Sequence, residues 1–252
     1  MKKTAIITGG ASGIGQATAQ TLHTRGWDIW CLDINIPKSA SGALPDPLGI
    51  TYLQCDVSDT ASVQSALLKI AESTDKVDAL ICSAGVLRTG NLMDQTPGEI
   101  DLMMQVNIKA PWLIARETLP LLKRASRPDD PARVVFVGSI SGIRPKVGAG
   151  FYGASKAALH VLTGVLAVEL AASGILVNAV APGTVDTPMI TAASQPSKTS
   201  QYKPSGESPL GRIANPGDIV QVILFFLSNA AQYVTGTVLP VDGGTRAAFQ
   251  PR

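Results

Sequence analysis

The 252-residue sequence has no run of about 18 apolar residues, so it offers no continuous segment that would cross a bilayer as a helix. It has no dense cluster of lysine and arginine, and its formal net charge is only +2. That removes the electrostatic footprint of a nucleic-acid binder or of a protein drawn to an anionic membrane. Charged residues make up 16% of the chain against 45% apolar, a balance that excludes a disordered chain. Cysteine is scarce: Cys31, Cys55 and Cys82 are the three present, and no pair has the spacing of metal ligands. Each lies in a short apolar run, where a thiol serves as a small buried hydrophobe. Three unpaired thiols fit a reducing cytoplasm better than secretion. His23 and His160 fall on predicted helices and suggest no metal centre. The apolar stretch after Met1-Lys2-Lys3 is too short, and too soon broken by glycine, for a signal peptide.

What is present is an alternation of strand and helix. Strands are predicted over 4–8, 28–33, 50–55, 77–82, 133–137, 175–180 and 238–241. Helices are predicted over 14–25, 58–72, 97–123, 153–173 and 216–228, the third bent or broken near Pro111. Residues 34–49, rich in Pro, Ser and Gly, read as a loop where a helix would otherwise stand. The pattern predicts one α/β domain over 1–252: a doubly wound parallel sheet of about seven strands with helices on both faces. The polar stretch 187–208 carries no clear strand and reads as a mobile flap over a site or as an ordinary surface loop.

The first strand runs into Thr8-Gly9-Gly10-Ala11-Ser12-Gly13-Ile14-Gly15 and then a helix. A pyrophosphate needs backbone N–H donors, no blocking Cβ and the positive end of a helix, and this turn supplies all three. Asp33 ends the second strand 18 residues after Gly15, where a carboxylate accepts hydrogen bonds from ribose hydroxyls and repels a 2′-phosphate. No Arg or Lys adjoins Asp33 or sits in the turn, so NAD is favoured over NADP. Asp56, followed by Val57 after the third strand, either holds an adenine amino group or caps the next helix.

Tyr152 and Lys156, four residues apart, share one face of a helix. A free tyrosine has a pKa of about 10. A cation held close favours the phenolate, which makes the pair a workable general acid/base. Ser139 lies at the end of the fifth strand, 13 residues before Tyr152, where ligands bind in such sheets. Its hydroxyl is placed to meet a substrate oxygen or to cap a turn.

Taken together, the glycine turn, Ser139, Tyr152-Gly153-Ala154-Ser155-Lys156 and Pro182-Gly183 resemble the short-chain dehydrogenase/reductase family, in order, from about residue 4 to about residue 244. The resemblance implies a Rossmann-type core, hydride transfer between nicotinamide and a secondary alcohol or ketone, and a homotetramer. It implies that Tyr152 is the acid/base, that Lys156 binds the nicotinamide ribose and lowers the Tyr152 pKa, and that Ser139 polarises the substrate oxygen. It implies that Asn107 steadies a relay water, that Val185 and Thr187 contact the carboxamide, and that Ser83-Ala84-Gly85 borders the cofactor. The family more often has Asn-Ala-Gly at that turn. Several stretches, among them 77–90 and 209–214, are similar to the branch that oxidises 2,3-dihydro-2,3-dihydroxybenzoate, a cyclic carboxylated dihydrodiol. On that reading Arg88, Arg144 and Lys146 are candidates to neutralise a substrate carboxylate. The alternatives are a 3-oxoacyl or other ketone reductase, a secondary-alcohol or sugar dehydrogenase and, more remotely, a non-catalytic nucleotide-binding subunit.

Overall fold

The computed structural model describes residues 2–37, 49–194 and 203–247. Seven strands form one sheet: β1 (Thr4–Thr8), β2 (Asp28–Asp33), β3 (Thr51–Gln54), β4 (Ala79–Cys82), β5 (Ala132–Val137), β6 (Ile175–Pro182) and β7 (Val238–Val241). Their order is β3-β2-β1-β4-β5-β6-β7, and every pairing is parallel. The order reverses between β1 and β4, so the loops after these two strands diverge and leave a crevice at their carboxyl ends.

Side chains alternate along each strand and feed two cores. Ile6, Leu80 and Cys82 face one side of the sheet and pack with α2 (Thr60–Ser73), α4 (Ala110–Ala125) and α5 (Gly150–Ala171). Ala5, Ile7, Ala79 and Ile81 face the other side and pack with α1 (Gly13–Thr24) and α7 (Pro216–Phe226). The expected doubly wound architecture is therefore the observed one.

Local chemistry sets the helix ends. Asp59 caps α2 by accepting from Ala61 N and Ser62 N. Thr96 and Glu99 form a capping box at the start of α3 (Pro97–Met104), and Asn215 with Asp218 does the same for α7, where Pro216 stands at the first position. The predicted 97–123 helix runs on without a break in helical geometry: α3 passes through a π turn, Gln105–Lys109, into α4, which has Pro111 in its first turn. Such turns gather at functional sites, and Asn107 lies inside this one.

The described part of 187–208 is not loop throughout. Pro188–Ala193 forms a short helix, α6, with Thr187 at its N-cap and Pro188 in its first turn. Residues 195–202 of the expected flap, and 38–48 of the expected loop after β2, lie outside the described residues. A second difference concerns α5. Although its apolar run is not continuous, its length and mean hydropathy would suffice to span a bilayer. Here its Leu159, Thr163 and Ala167 are buried, while Val161, Val165 and Val168 are exposed.

Candidate active site

The glycine turn joins β1 to α1. Gly9 and Gly13 have φ of +65° and +53°, which side-chain-bearing residues rarely adopt. Gly9 is also pressed against the β4 turn: a Cβ there would lie 2.8 Å from Ala84 N. A Cβ at Gly15 would collide with the Gly9 carbonyl oxygen, so the helix can approach the turn only without one. Ser12 caps α1 without a side-chain hydrogen bond, which leaves the first-turn N–H groups of α1 to an incoming anion. Thr8 Oγ1 accepts from Ala84 N at 3.1 Å and ties this turn to Ser83-Ala84-Gly85.

Asp33 closes one side. Its carboxylate accepts from Ala11 N and from Asn35 N, both at 3.0 Å, and so bridges the glycine turn to the end of β2. Asp56 Oδ1 accepts from Ser58 N at 2.9 Å and Ser58 Oγ at 2.7 Å. The α2 cap is Asp59, so Asp56 shapes a turn beside the cavity and does not cap the helix.

On the other side stand the α5 residues. Lys156 is 5% exposed; its Nζ donates to Val137 O at 2.8 Å and lies 5.9 Å from the Tyr152 ring centroid. Burial pushes the ammonium down to about 8. Cys82, equally buried, is pushed up to about 12 by burial and stays a neutral thiol near neutral pH. Ser139 lies two residues beyond β5 and caps the turn Ile140–Gly142, its Oγ accepting from Ser141 N at 3.1 Å. Asn107 is fully buried. Its Nδ2 donates to Val86 O at 2.9 Å and Ser155 Oγ at 3.0 Å, while its Oδ1 accepts from Val86 N at 2.9 Å. The side chain thus fixes the β4 turn to α5. Gly85 is where these groups meet: a Cβ there would lie 3.4 Å from Asn107 Oδ1 and 3.5 Å from Lys156 Nζ.

One cavity of about 510 Å³ joins the two sides. It is lined by Gly9, Ser12, Gly13, Ile14, Asp33, Asp56, Val57, Ser83, Ala84, Gly85, Ser139, Tyr152, Lys156, Pro182, Gly183, Val185 and Thr187, all singled out from the sequence. Gly15 and Asn107 stand behind that lining. The size falls within the range of small-molecule sites. The Cβ-free turn, the open helix start and the Asp33 carboxylate suit a dinucleotide.

The three candidate substrate cations divide. Arg88 lines the cavity. Arg144 does not: its Nη1 donates to Thr245 O at 2.6 Å. Lys146 also lies outside the lining, and its Nζ donates to Ser205 Oγ at 3.0 Å. The sequence reading missed an apolar wall made by Val86, Leu102, Val106, Met189 and Ile190. Thr187-Pro188 was the available signal for the part on α6, since an N-cap residue followed by proline marks a helix start.

A parallel sheet with a glycine turn at its switch point, and a serine, tyrosine and lysine sharing its crevice, defines an oxidoreductase of the nicotinamide-dependent class. The comparisons agree. A family model described as Enoyl-(Acyl carrier protein) reductase matches residues 9–246. Oxidoreductase UcpA of Salmonella typhimurium is 36% identical over 257 aligned residues, covering 96% of this chain and 94% of UcpA. A 3-ketoacyl-(acyl-carrier-protein) reductase from Brucella melitensis, solved with NADH, superposes with a TM-score of 0.85 at 28% identity, over 96% of this chain and 98% of that one. RhlG of Pseudomonas aeruginosa, solved with NADP, gives 0.85 at 31% identity over 96% of each chain. The chain belongs to the short-chain dehydrogenase/reductase family.

Proposed function

We propose that the protein is an NAD-dependent dehydrogenase or reductase that interconverts a secondary alcohol and a ketone, with Tyr152 as its acid/base. The observation that carries this reading is the single cavity running from the glycine turn and Asp33 to Ser139, Tyr152 and Lys156. Gly9, Ser12, Gly13 and Ile14 would hold the pyrophosphate, Asp33 the adenosine ribose, Asp56 and Val57 the adenine side, and Val185 and Thr187 the carboxamide end. The nicotinamide, when bound, supplies or accepts the hydride.

The protein's own residues do the rest. Ser139 and Tyr152 hydrogen-bond the substrate oxygen and hold it still. In reduction Tyr152 gives that oxygen its proton; in oxidation it takes the proton as phenolate. The Lys156 ammonium, 5.9 Å from the Tyr152 ring, favours the phenolate and thereby eases both directions. Asn107 holds the turn before Val86 against α5 and keeps Lys156 in place.

Asp33 supports a preference for NAD over NADP, because its anchored carboxylate would oppose a 2′-phosphate. Titration of intrinsic fluorescence should show tighter binding of NADH than NADPH, with the gap narrowed in Asp33→Ala. Equal affinities in the unmodified protein would count against the role of Asp33. A screen of NAD reduction across cyclic diols, hydroxy acids and simple alcohols tests the reaction class. Arg88 at the cavity favours a carboxylated substrate such as the dihydrodiol. The likeness to the Brucella 3-ketoacyl reductase favours a second reading, reduction of a 3-oxoacyl group. The exposed Val161, Val165 and Val168 on α5, with Trp112 on α4, support assembly as a homotetramer through these helices, which light scattering would test. Three buried cysteines, none of them in a disulfide, support a cytoplasmic setting.

A further inference from the structure

His160 lies on α5 one turn beyond Lys156 and two beyond Tyr152, yet nothing in the proposed reaction uses it. Its Nε2 is buried without a hydrogen-bond partner. The ring is driven into the back of the segment that carries Ser139. A Cβ at Gly138 would collide with His160 Nε2. A Cβ at Gly142 would lie 2.8 Å from His160 Cε1, 2.6 Å from Ala157 N and 2.7 Å from Lys156 C. A third close approach points the opposite way: a Cβ at Gly153 would lie 2.8 Å from Ser141 O. The turn Ile140–Gly142, which follows Ser139, is thus seated directly on the α5 backbone, with glycines on both sides of Ser139 and one imidazole filling the space they leave.

We propose that His160 is a positioning residue, a neutral wedge that sets the spacing between the Ser139 turn and the helix carrying Tyr152 and Lys156. The inference rests on the reading of Ser139 and Tyr152 as partners on one substrate oxygen. Two hydroxyls that must meet the same atom tolerate little relative movement, and a displacement of about 1 Å costs on the order of a hundredfold in rate. The wedge acts by shape. Burial, and then the Lys156 charge, hold the imidazole down at about 4, so it carries no charge at neutral pH. A methyl group at position 138 and the imidazole at 160 compete for one space, which makes the two positions a matched pair.

The test uses His160→Ala, Gly138→Ala, the double variant and His160→Gln, each with kcat, KM, NADH affinity and unfolding midpoint. Emptying the space behind Ser139, or filling it from both sides at once, should disturb the reaction and not the cofactor. His160→Ala should lower kcat by about tenfold or more while NADH affinity stays within about twofold. His160→Gln, neutral and similar in volume, should recover most of the loss. Gly138→Ala should be worse than His160→Ala in both turnover and unfolding midpoint, and adding His160→Ala to it should recover about fivefold or more in turnover. If Gly138→Ala does not fold, recovery of folded protein in the double variant is the supporting result. Full kcat in His160→Ala, independent losses in the double variant, or parallel losses of kcat and NADH affinity would overturn the proposal. A protein that binds NADH and turns over nothing would instead overturn the proposed function. The coupling of positions 138 and 160 would still be read from the unfolding midpoints.

Discussion

Two cations are buried at opposite ends of the same sheet, and the chain treats them in opposite ways. At the amino end of β5, Arg133 is 3% exposed, and its two terminal nitrogens have two partners each while its Nε has none. Its Nη1 donates to Asp130 Oδ1 at 3.2 Å and Pro131 O at 2.6 Å, and its Nη2 to Ser228 O and Asn229 Oδ1, both at 3.3 Å. Asp130 is also paired with Lys3 at 2.7 Å, and the neighbouring Asp78 accepts from Lys76 Nζ and from Thr4 N at 2.8 Å each. At the carboxyl end, Lys156 is almost as buried but has one carbonyl partner and, among the described residues, no carboxylate within ion-pair distance. A partnered buried cation ties elements together. An under-partnered one lacks a fixed counter-charge, and its field remains available to a phenol and an incoming ligand. One end of the sheet is built for cohesion and, on the proposed function, the other for chemistry.

The largest expected effect sharpens that division at the carboxyl end. Removing the Tyr152 hydroxyl in Tyr152→Phe, or the ammonium in Lys156→Met, should lower kcat by about a thousandfold. The protein should stay folded, and Lys156→Met should be neutral or slightly stabilising, because it relieves a buried charge. Steady-state rates with parallel denaturant melts would check this. Full turnover in Tyr152→Phe would remove the tyrosine from the mechanism.

The next effect is expected at the amino end. Arg133→Ala leaves the carbonyls of Pro131 and Ser228 short of a donor and strips Asp130 of one of its two cations. It should cost about 3 kcal/mol of unfolding free energy. Turnover per folded molecule should not change, since Arg133 does not line the cavity. A variant that kept its stability but lost its rate would invert the comparison.

The sequence revealed these two ends unequally. All seven strands, the glycine turn, Ser139 and the Tyr152–Lys156 pair could be read because each rests on local spacing or on a turn that only certain residues can make. The opposite fates of Arg133 and Lys156 could not. Arg133 finds Ser228 and Asn229 across 95 and 96 residues of chain, and no local pattern announces that encounter. The same limit explains the substrate cations. Arg88, Arg144 and Lys146 look alike on paper, but Arg144 is taken up by Thr245 O, 101 residues later. An irregularity near Pro111 was legible from proline, though the helix does not break there. That the irregularity takes the form of a π turn with Asn107 buried inside depends on Val86 and Ser155 arriving from other elements.

The smallest expected effect separates the two cations by pH. An arginine does not titrate in the accessible range. Lys156 does: its folded value, about 8, lies below the ordinary 10.5 because burial disfavours the charge. Below pH 8 both the folded and the unfolded chain hold the proton, and the folded state bears the full cost of burying it. Above pH 8 the folded chain releases the proton while the unfolded chain keeps it, so the unfolded state binds more protons and stability rises with pH. Cys82 works the other way above pH 9, because its thiol, pushed up to about 12, stays protonated in the fold after the unfolded thiol has ionised. The window for Lys156 alone is therefore pH 8 to 9. There the cofactor-free protein should gain up to about 1 kcal/mol relative to Lys156→Met. Urea titrations of both proteins at the two pH values would measure it. Parallel behaviour would mean that Lys156 is as well compensated as Arg133, and the contrast between the two ends of the sheet would lose its physical basis.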